Sequence, residues 1–341
     1  MRADGKRVKN ASPEYLVGGQ LMKKRNDALN MTEVDILLDP ISAYVRQKRS
    51  EGIRISHLGV FLTAYVRTVA EFPLLNRFFV GGYPYARKEL AVSMVVLKPG
   101  GDDGTTSKMF FELEDDIFAV QKTLDTFIDG NRREGDTNGT DIVARLLVKV
   151  PGLLSIGATI LRILDRLGWM PKSLIDVSPF HASLLVSNLA SIGTGHIYHH
   201  VYNFGTTGIA ITLGKPRESA VRHGSSVRFE RCLPLGVAMD ERICNGSYFA
   251  MAFARMKEYL SNPTLLEGPS PNPIIREWAR PGEYEAIKAK RDYKAACRKI
   301  ASSDMSRAEK KSAKKEQKRL KKAALRAAKA LRKAAKREAK A

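Results

Sequence analysis

One stretch of this chain constrains its fold more than any other: a strand, a polar turn and a helix in direct succession. Val227 to Met239 is rich in apolar and β-branched residues and reads as a strand. Residues 240–246 follow as Asp-Glu-Arg-Ile-Cys-Asn-Gly. Gly246 to Asn262 then reads as a helix, with Tyr248, Phe249, Ala252, Phe253, Met256, Tyr259 and Leu260 on its buried side. A strand that passes into an amphipathic helix belongs to a sheet with helices laid against it.

Other segments repeat the alternation. Ser183 to Leu189 and Thr207 to Leu213 read as strands, Tyr83 to Lys98 as a Val-rich β-hairpin or strand pair, and Met109 to Leu113 as a short strand. Gly100 to Ser107 reads as a loop. Asp39-Pro40 starts a helix that runs to Gly52. Ser56 caps a second helix with Leu58, Phe61, Leu62, Tyr65, Val66 and Val69 on one face, ended by Pro73. Asp115-Asp116 starts a third, to about Gly130. Residues 140–171 read as two apolar helices broken at Pro151-Gly152, with Arg145, Lys149, Arg162 and Arg166 on the less apolar side. They pack on the core or on a neighbouring subunit, or else form an amphipathic surface that docks on a membrane.

Charge divides the chain. Residues 288–341 hold 22 Lys or Arg against five acids, a net +17, and the rest of the chain carries only +4. From about Ser306 the sequence is nearly all Ala, Lys and Arg with a little Leu: strong helix formers, but mutually repelling and without an apolar stripe, which argues against a packed domain. Such a tail, helical or disordered, binds polyanions through charge, whether nucleic acid or anionic lipid. It holds no aromatic residue after Tyr293, so base stacking is not supported. Four segments result: an N-terminal polar arm over residues 1–30, lying loosely on the core; a core over 31–266; a Pro-rich linker over 267–287; and the basic tail over 288–341. Cys232, Cys244 and Cys297 show no paired framework, which places the chain in a reducing, cytoplasmic compartment, with peripheral attachment at the membrane inner face a further reading. No apolar h-region and no run of roughly 20 apolar residues suited to spanning a bilayer is visible.

The turn at 240–246 resembles the DHRxxDG signature of the acyltransferase core of 2-oxoacid dehydrogenase complexes, a fold shared by chloramphenicol acetyltransferase, whose version is HHxxxDG. Asp240, Arg242 and Gly246 stand as in the family; Glu241 stands where it has its catalytic His, and Asn245 where it has Asp. Glu33-Val34-Asp35 resembles its early EVD strand, Phe72-Pro73-Leu74-Leu75-Asn76 its FPxLN segment, Ser187-Asn188-Leu189 its SNLG strand end with Ala190 for Gly, and Pro234-Leu235 the start of its PLxLxxDHR run. The resemblance covers about residues 30–266, with 130–180 matching poorly. It implies a two-layer α/β sandwich on a mixed sheet, like chloramphenicol acetyltransferase, and a homotrimer with its site between subunits.

In the family, His takes a proton from the thiol of coenzyme A or dihydrolipoamide, the thiolate attacks an acyl thioester, and Ser donates a hydrogen bond to the oxyanion. Carried onto this sequence, Ser187 is the oxyanion donor and Glu241 holds the place of the base, with Arg242 and Asn245 beside it; coenzyme A or an acyl-coenzyme A would be substrate rather than firmly bound cofactor. A thiol near pKa ~8.5 lies ~4 units above an ordinary Glu but ~2 above an ordinary His, so proton transfer to Glu costs about 3 kcal/mol more. Burial in an apolar channel would recover most of this. Without it the family's acyl transfer is lost or altered, and the turn persists because it starts a helix. The family's lipoyl and subunit-binding domains have no counterpart here.

Two other groups compete for chemistry. His196, His199 and His200 lie between the Ser187 strand and the next strand, as replacement bases, a metal fragment or hydrogen-bonded loop residues; no nearby Cys, Asp or Glu completes a ligand set, and no metal is expected. Cys244, near a helix N-terminus, is either an activated thiol or an inert, half-buried one. The chain thus reads as an acyltransferase-like protein with altered coenzyme A chemistry or as a non-catalytic trimeric scaffold that displays its basic tails.

Overall fold

The computed structural model describes residues 2–97, 104–132 and 153–338. They fall into two compact units, Met1–Arg276 and Glu277–Ala341.

Among the described residues the first unit holds ten strands: β1 (Gly5–Arg7), β2 (Leu29–Leu37), β3 (Arg77–Val80), β4 (Tyr83–Arg87), β5 (Leu90–Leu97), β6 (Gly104–Phe111), β7 (Leu184–Asn188), β8 (Ile209–Leu213), β9 (Arg217–His223) and β10 (Ser226–Asp240). The main sheet runs β2-β10-β8-β7-β5-β6, with β9 paired to the first half of β10; a small sheet runs β1-β4-β3. The pairs β5–β7 and β7–β8 are parallel and the other pairs of the main sheet antiparallel, so that sheet is mixed. Among the described residues its helices are α1 (Pro13–Leu21), α2 (Leu38–Ser50), α3 (His57–Glu71), α4 (Ile117–Arg132), α5 (Leu153–Leu167), α6 (Lys172–Val177) and α7 (Gly246–Ser261).

Period-2 alternation decides which face each side chain meets. Leu184 and Val186 of β7, Ile209 and Ile211 of β8, and Leu235 and Val237 of β10 share one core with α3, α4 and α7. The intervening Leu185, Ala210 and Ala238 point the other way and meet Val201. Helices on one face make the two layers, and the chain between β7 and β8 lies on the other face. Gly236 permits that close approach: a Cβ there would stand 2.2 Å from the Ile197 carbonyl oxygen. The Thr212 hydroxyl fixes the crossing by donating to the same carbonyl and accepting from the Ile197 amide.

Helix starts follow their caps. Ser56 Oγ accepts from the Gly59 amide (2.9 Å) and Asp116 Oδ1 from the Ala119 amide (2.9 Å). In α2 the cap position belongs to Leu37 and Asp39 stands inside the first turn, where its charge faces the helix dipole.

Three expectations change. Tyr83 to Lys98 does not form a hairpin: β4 and β5 enter different sheets. Strand β6 begins at Gly104, inside the expected loop. Residues 1–30 do not lie loosely: β1 extends the small sheet, and Arg2, Asp4 and Arg25 are buried in ion pairs that reach Asp165 and Asp240. The first helix expected in 140–171 and the break at Pro151-Gly152 lie outside the described residues.

The second unit is a helical hairpin, α8 (Glu283–Ser302) and α9 (Arg307–Glu338). Ala328 is buried, the Lys321 ammonium sits 4.4 Å over the Tyr293 ring, and Lys310 Nζ donates to the Ala301 carbonyl (3.3 Å). Alanine-rich faces let the backbones approach while Lys and Arg stay in water, so the pair packs without an apolar stripe.

Candidate functional site

The turn that follows β10 is built around Asp240, which has no exposure at all. Arg242 folds back onto it in a two-point pair, Nε to Oδ1 at 2.7 Å and Nη2 to Oδ2 at 2.6 Å, and Nη1 donates to the Met22 carbonyl (2.8 Å). Arg25 approaches from the other side, Nε 3.8 Å from Asp240 Oδ2, and donates to the carbonyls of Tyr202 (3.0 Å) and Gly205 (2.6 Å). Burial draws the Arg25 pKa down to about 10 against the opposing pull of Asp240. One carboxylate thus ties the end of β10 to residues 22–25 and 202–205.

Glu241 is half-buried. Its Oε2 accepts from Asn30 Nδ2 (2.6 Å), and its amide donates to the Ala28 carbonyl (2.9 Å). Asn245 caps α7, Oδ1 accepting from the Tyr248 amide (3.0 Å). Cys244 is wholly buried, and burial pushes its thiol far above the usual range, so it stays a neutral core side chain rather than a nucleophile.

Ser187 lies elsewhere in the chain. It pairs with Thr212, which pairs with Gly236, five residues before Glu241. Strand rise and interstrand spacing therefore separate Ser187 from Glu241 by roughly 19 Å. One chain does not bring them together.

The structure instead places Ser187 with His199. Both line a cavity of about 110 Å³ on the face away from the helices, with Tyr202, Thr106, Thr207 and Leu185. His199 Nδ1 lies 2.8 Å from the His200 carbonyl oxygen, so the ring proton is assigned to Nδ1 and Nε2 is left as an acceptor. His200 stacks on His199 with centroids 4.8 Å apart, and His196 Nε2 points to Glu33 at 3.5 Å. Among the described residues no group of three or more His, Cys, Asp or Glu is placed to hold a metal ion. Among the described residues no helix is long and apolar enough to cross a membrane.

Beyond the site, Asp165 on α5 accepts from Arg2 Nη2 (2.7 Å) and lies 3.2 Å from His181 Nε2. Burial opposes ionisation of Asp165, but these partners outweigh it and hold its pKa at about 2. Partial burial, with the Arg87 charge adding to it, lowers the pKa of the half-buried Lys108 to about 7.

Sequence reasoning missed Arg25, Asn30 and Tyr202. Each reaches its partner across many residues of chain, and no local period marks such a contact.

No protein-family profile matches the sequence, and no curated protein matches it. Solved structures resemble it in fold. A probable dihydrolipoamide acetyltransferase from Listeria monocytogenes is 12% identical with TM-score 0.48, covering 75% of this chain and 94% of that one. The cubic core of the pyruvate dehydrogenase multienzyme complex is 14% identical with TM-score 0.49, covering 74% and 88%. Chloramphenicol acetyltransferase is 12% identical with TM-score 0.47, covering 75% and 99%.

Proposed function

We propose that this chain is an acyltransferase-like core that has given up the family's His-dependent acyl transfer and serves as a scaffold whose basic helical hairpin binds polyanions. The turn at 240–246 carries the reading. Asp240 and Arg242 neutralise each other in the interior, Glu241 is engaged by Asn30, and Asn245 is spent on capping α7. Each group the family would use for proton transfer or for holding its base is committed here to local packing. A carboxylate base also needs enclosure in an apolar channel, and within one chain Glu241 is partly open to water.

The separation of Ser187 from Glu241 supports an assembly in which any joint site needs a second copy, and the reading takes the core to be a homotrimer. Three copies would bring three hairpins to one surface and raise avidity without new contacts. Light scattering on the full chain at moderate salt is expected to give a trimer mass; a monomer mass at micromolar concentration counts against the assembly.

Residues 288–341 carry a net +17, most of it on the hairpin, and α8 and α9 leave most of these cations in water. Binding of the full chain to labelled duplex DNA and to anionic vesicles, followed from low to physiological salt, tests this reading. Each phosphate contact contributes a log–log slope of about −0.9 on duplex DNA, so affinity falls steeply with salt. A flat salt dependence, or no binding to either polyanion, overturns it.

A further inference from the structure

The apolar insertion remains unexplained by the scaffold reading. Helix α5 presents Ile156, Ile160, Ile163 and Leu167 outward, each at least 50% exposed, and Trp169 follows at 70%. At 100° per residue the four helical positions fall within a narrow stripe. A Gly168 cap fixes the end: the Gly168 amide donates to the Asp165 carbonyl (3.0 Å) and the Trp169 amide to the Leu164 carbonyl (2.8 Å), which holds the indole just beyond the last turn.

The charges on this helix are sorted. Its acid, Asp165, is turned inward and locked to Arg2 and His181. Arg162 and Arg166 are exposed on one flank of the stripe. The outward face therefore offers aliphatic side chains, one indole and cations, with no acid. A second copy meeting this face would set aliphatic side chains and cations against the same set, with no carboxylate of α5 to pair the arginines. A surface that is apolar inside and anionic at its rim satisfies both features.

We infer that α5 is an interfacial helix that inserts Ile156, Ile160, Ile163, Leu167 and Trp169 shallowly into an anionic lipid surface, with Arg162 and Arg166 at the headgroups. The inference rests on the polyanion reading and narrows it to lipid. Stable peripheral attachment takes two signals, an apolar insertion and a polybasic element. The chain holds both, α5 in one unit and the hairpin in the other.

The test uses the full chain and vesicles of phosphatidylcholine, either pure or with about one-third phosphatidylserine. Trp169 emission is expected to shift to the blue and to be quenched by brominated lipid only with the anionic vesicles, and both signals are expected to vanish in Trp169→Phe. The double change Ile160→Ser with Ile163→Ser is expected to weaken vesicle partition about tenfold while leaving duplex DNA binding unchanged. Vesicle binding with no change in Trp169 emission overturns the insertion and leaves the polyanion reading standing. So does binding to duplex DNA but not to vesicles. Self-association abolished by the double change identifies a second copy as the occupant and also overturns it. Failure to bind either polyanion removes the underlying reading itself.

Discussion

Replacing Asp240 by Asn tests whether the turn is a structural anchor. The change keeps the shape of the side chain and removes its charge. Two guanidinium groups then lose their counter-charge: Arg242, paired at 2.6 and 2.7 Å, and Arg25, at 3.8 Å. All three side chains are at most 4% exposed, so water cannot take over. Removing one partner of a buried pair costs about 3–5 kcal/mol, because the other charge stays uncompensated in a poorly solvating interior. Against a total stability of about 5–15 kcal/mol, this is a large share. With a urea slope of about 3 kcal/mol/M, the unfolding midpoint of the variant is expected about 1–1.7 M below wild type. Asp240→Asn with Arg242→Met is expected to regain part of the loss, since one of the stranded charges is gone. A loss below about 1 kcal/mol for Asp240→Asn would refute the reasoning, because an anchor that can be discharged without cost anchors nothing.

Two further outcomes follow from the same geometry. Asn245→Ala removes the α7 cap and is expected to cost about 1 kcal/mol, whereas Glu241→Gln keeps an acceptor for Asn30 on an accessible side chain and is expected within about 0.5 kcal/mol of wild type; the reverse ranking in urea titrations contradicts the assigned roles. Acid sensitivity is expected at Asp165. Its folded pKa of about 2 lies below the ordinary 3.8, so the stabilisation is complete above about pH 4 and drains away as pH falls through about 2. The full effect is about 2 kcal/mol, and Asp165→Asn is expected to flatten the stability profile between pH 4 and pH 2.5. An unchanged profile in the variant rules the pair out as its source.

Much of the fold was legible because local pattern and burial agreed. The strand leading to Met239, the α7 face of Phe249, Ala252 and Met256, and the Ser56 cap all appear where their periods and cap chemistry put them. What escaped lacks a local signal. Strand β9 (Arg217–His223) is solvated on both faces and carries no apolar alternation. Residues 1–30 looked like a loose arm because Arg2 and Arg25 find their carboxylates, Asp165 and Asp240, far along the chain. Alternation in β4 and β5 marks two strands but not the sheet each joins. At the site, the sequence marked Ser187, Glu241, Arg242, Asn245 and His199 without saying which meet. The shared cavity of Ser187 and His199 depends on Ile197 crossing Gly236, a packing event that spans 39 residues of chain.

Acyl transfer itself is the most direct test of the central claim. Full-length protein, assembled at micromolar concentration, is supplied with acetyl-coenzyme A and a dithiol acceptor, and thioester formation is followed beside Ser187→Ala and Glu241→Gln. The account expects no turnover above the uncatalysed rate, and the same rate in all three proteins. Robust turnover in wild type that both substitutions abolish would contradict it, and would make Glu241 a working base at an interface between copies.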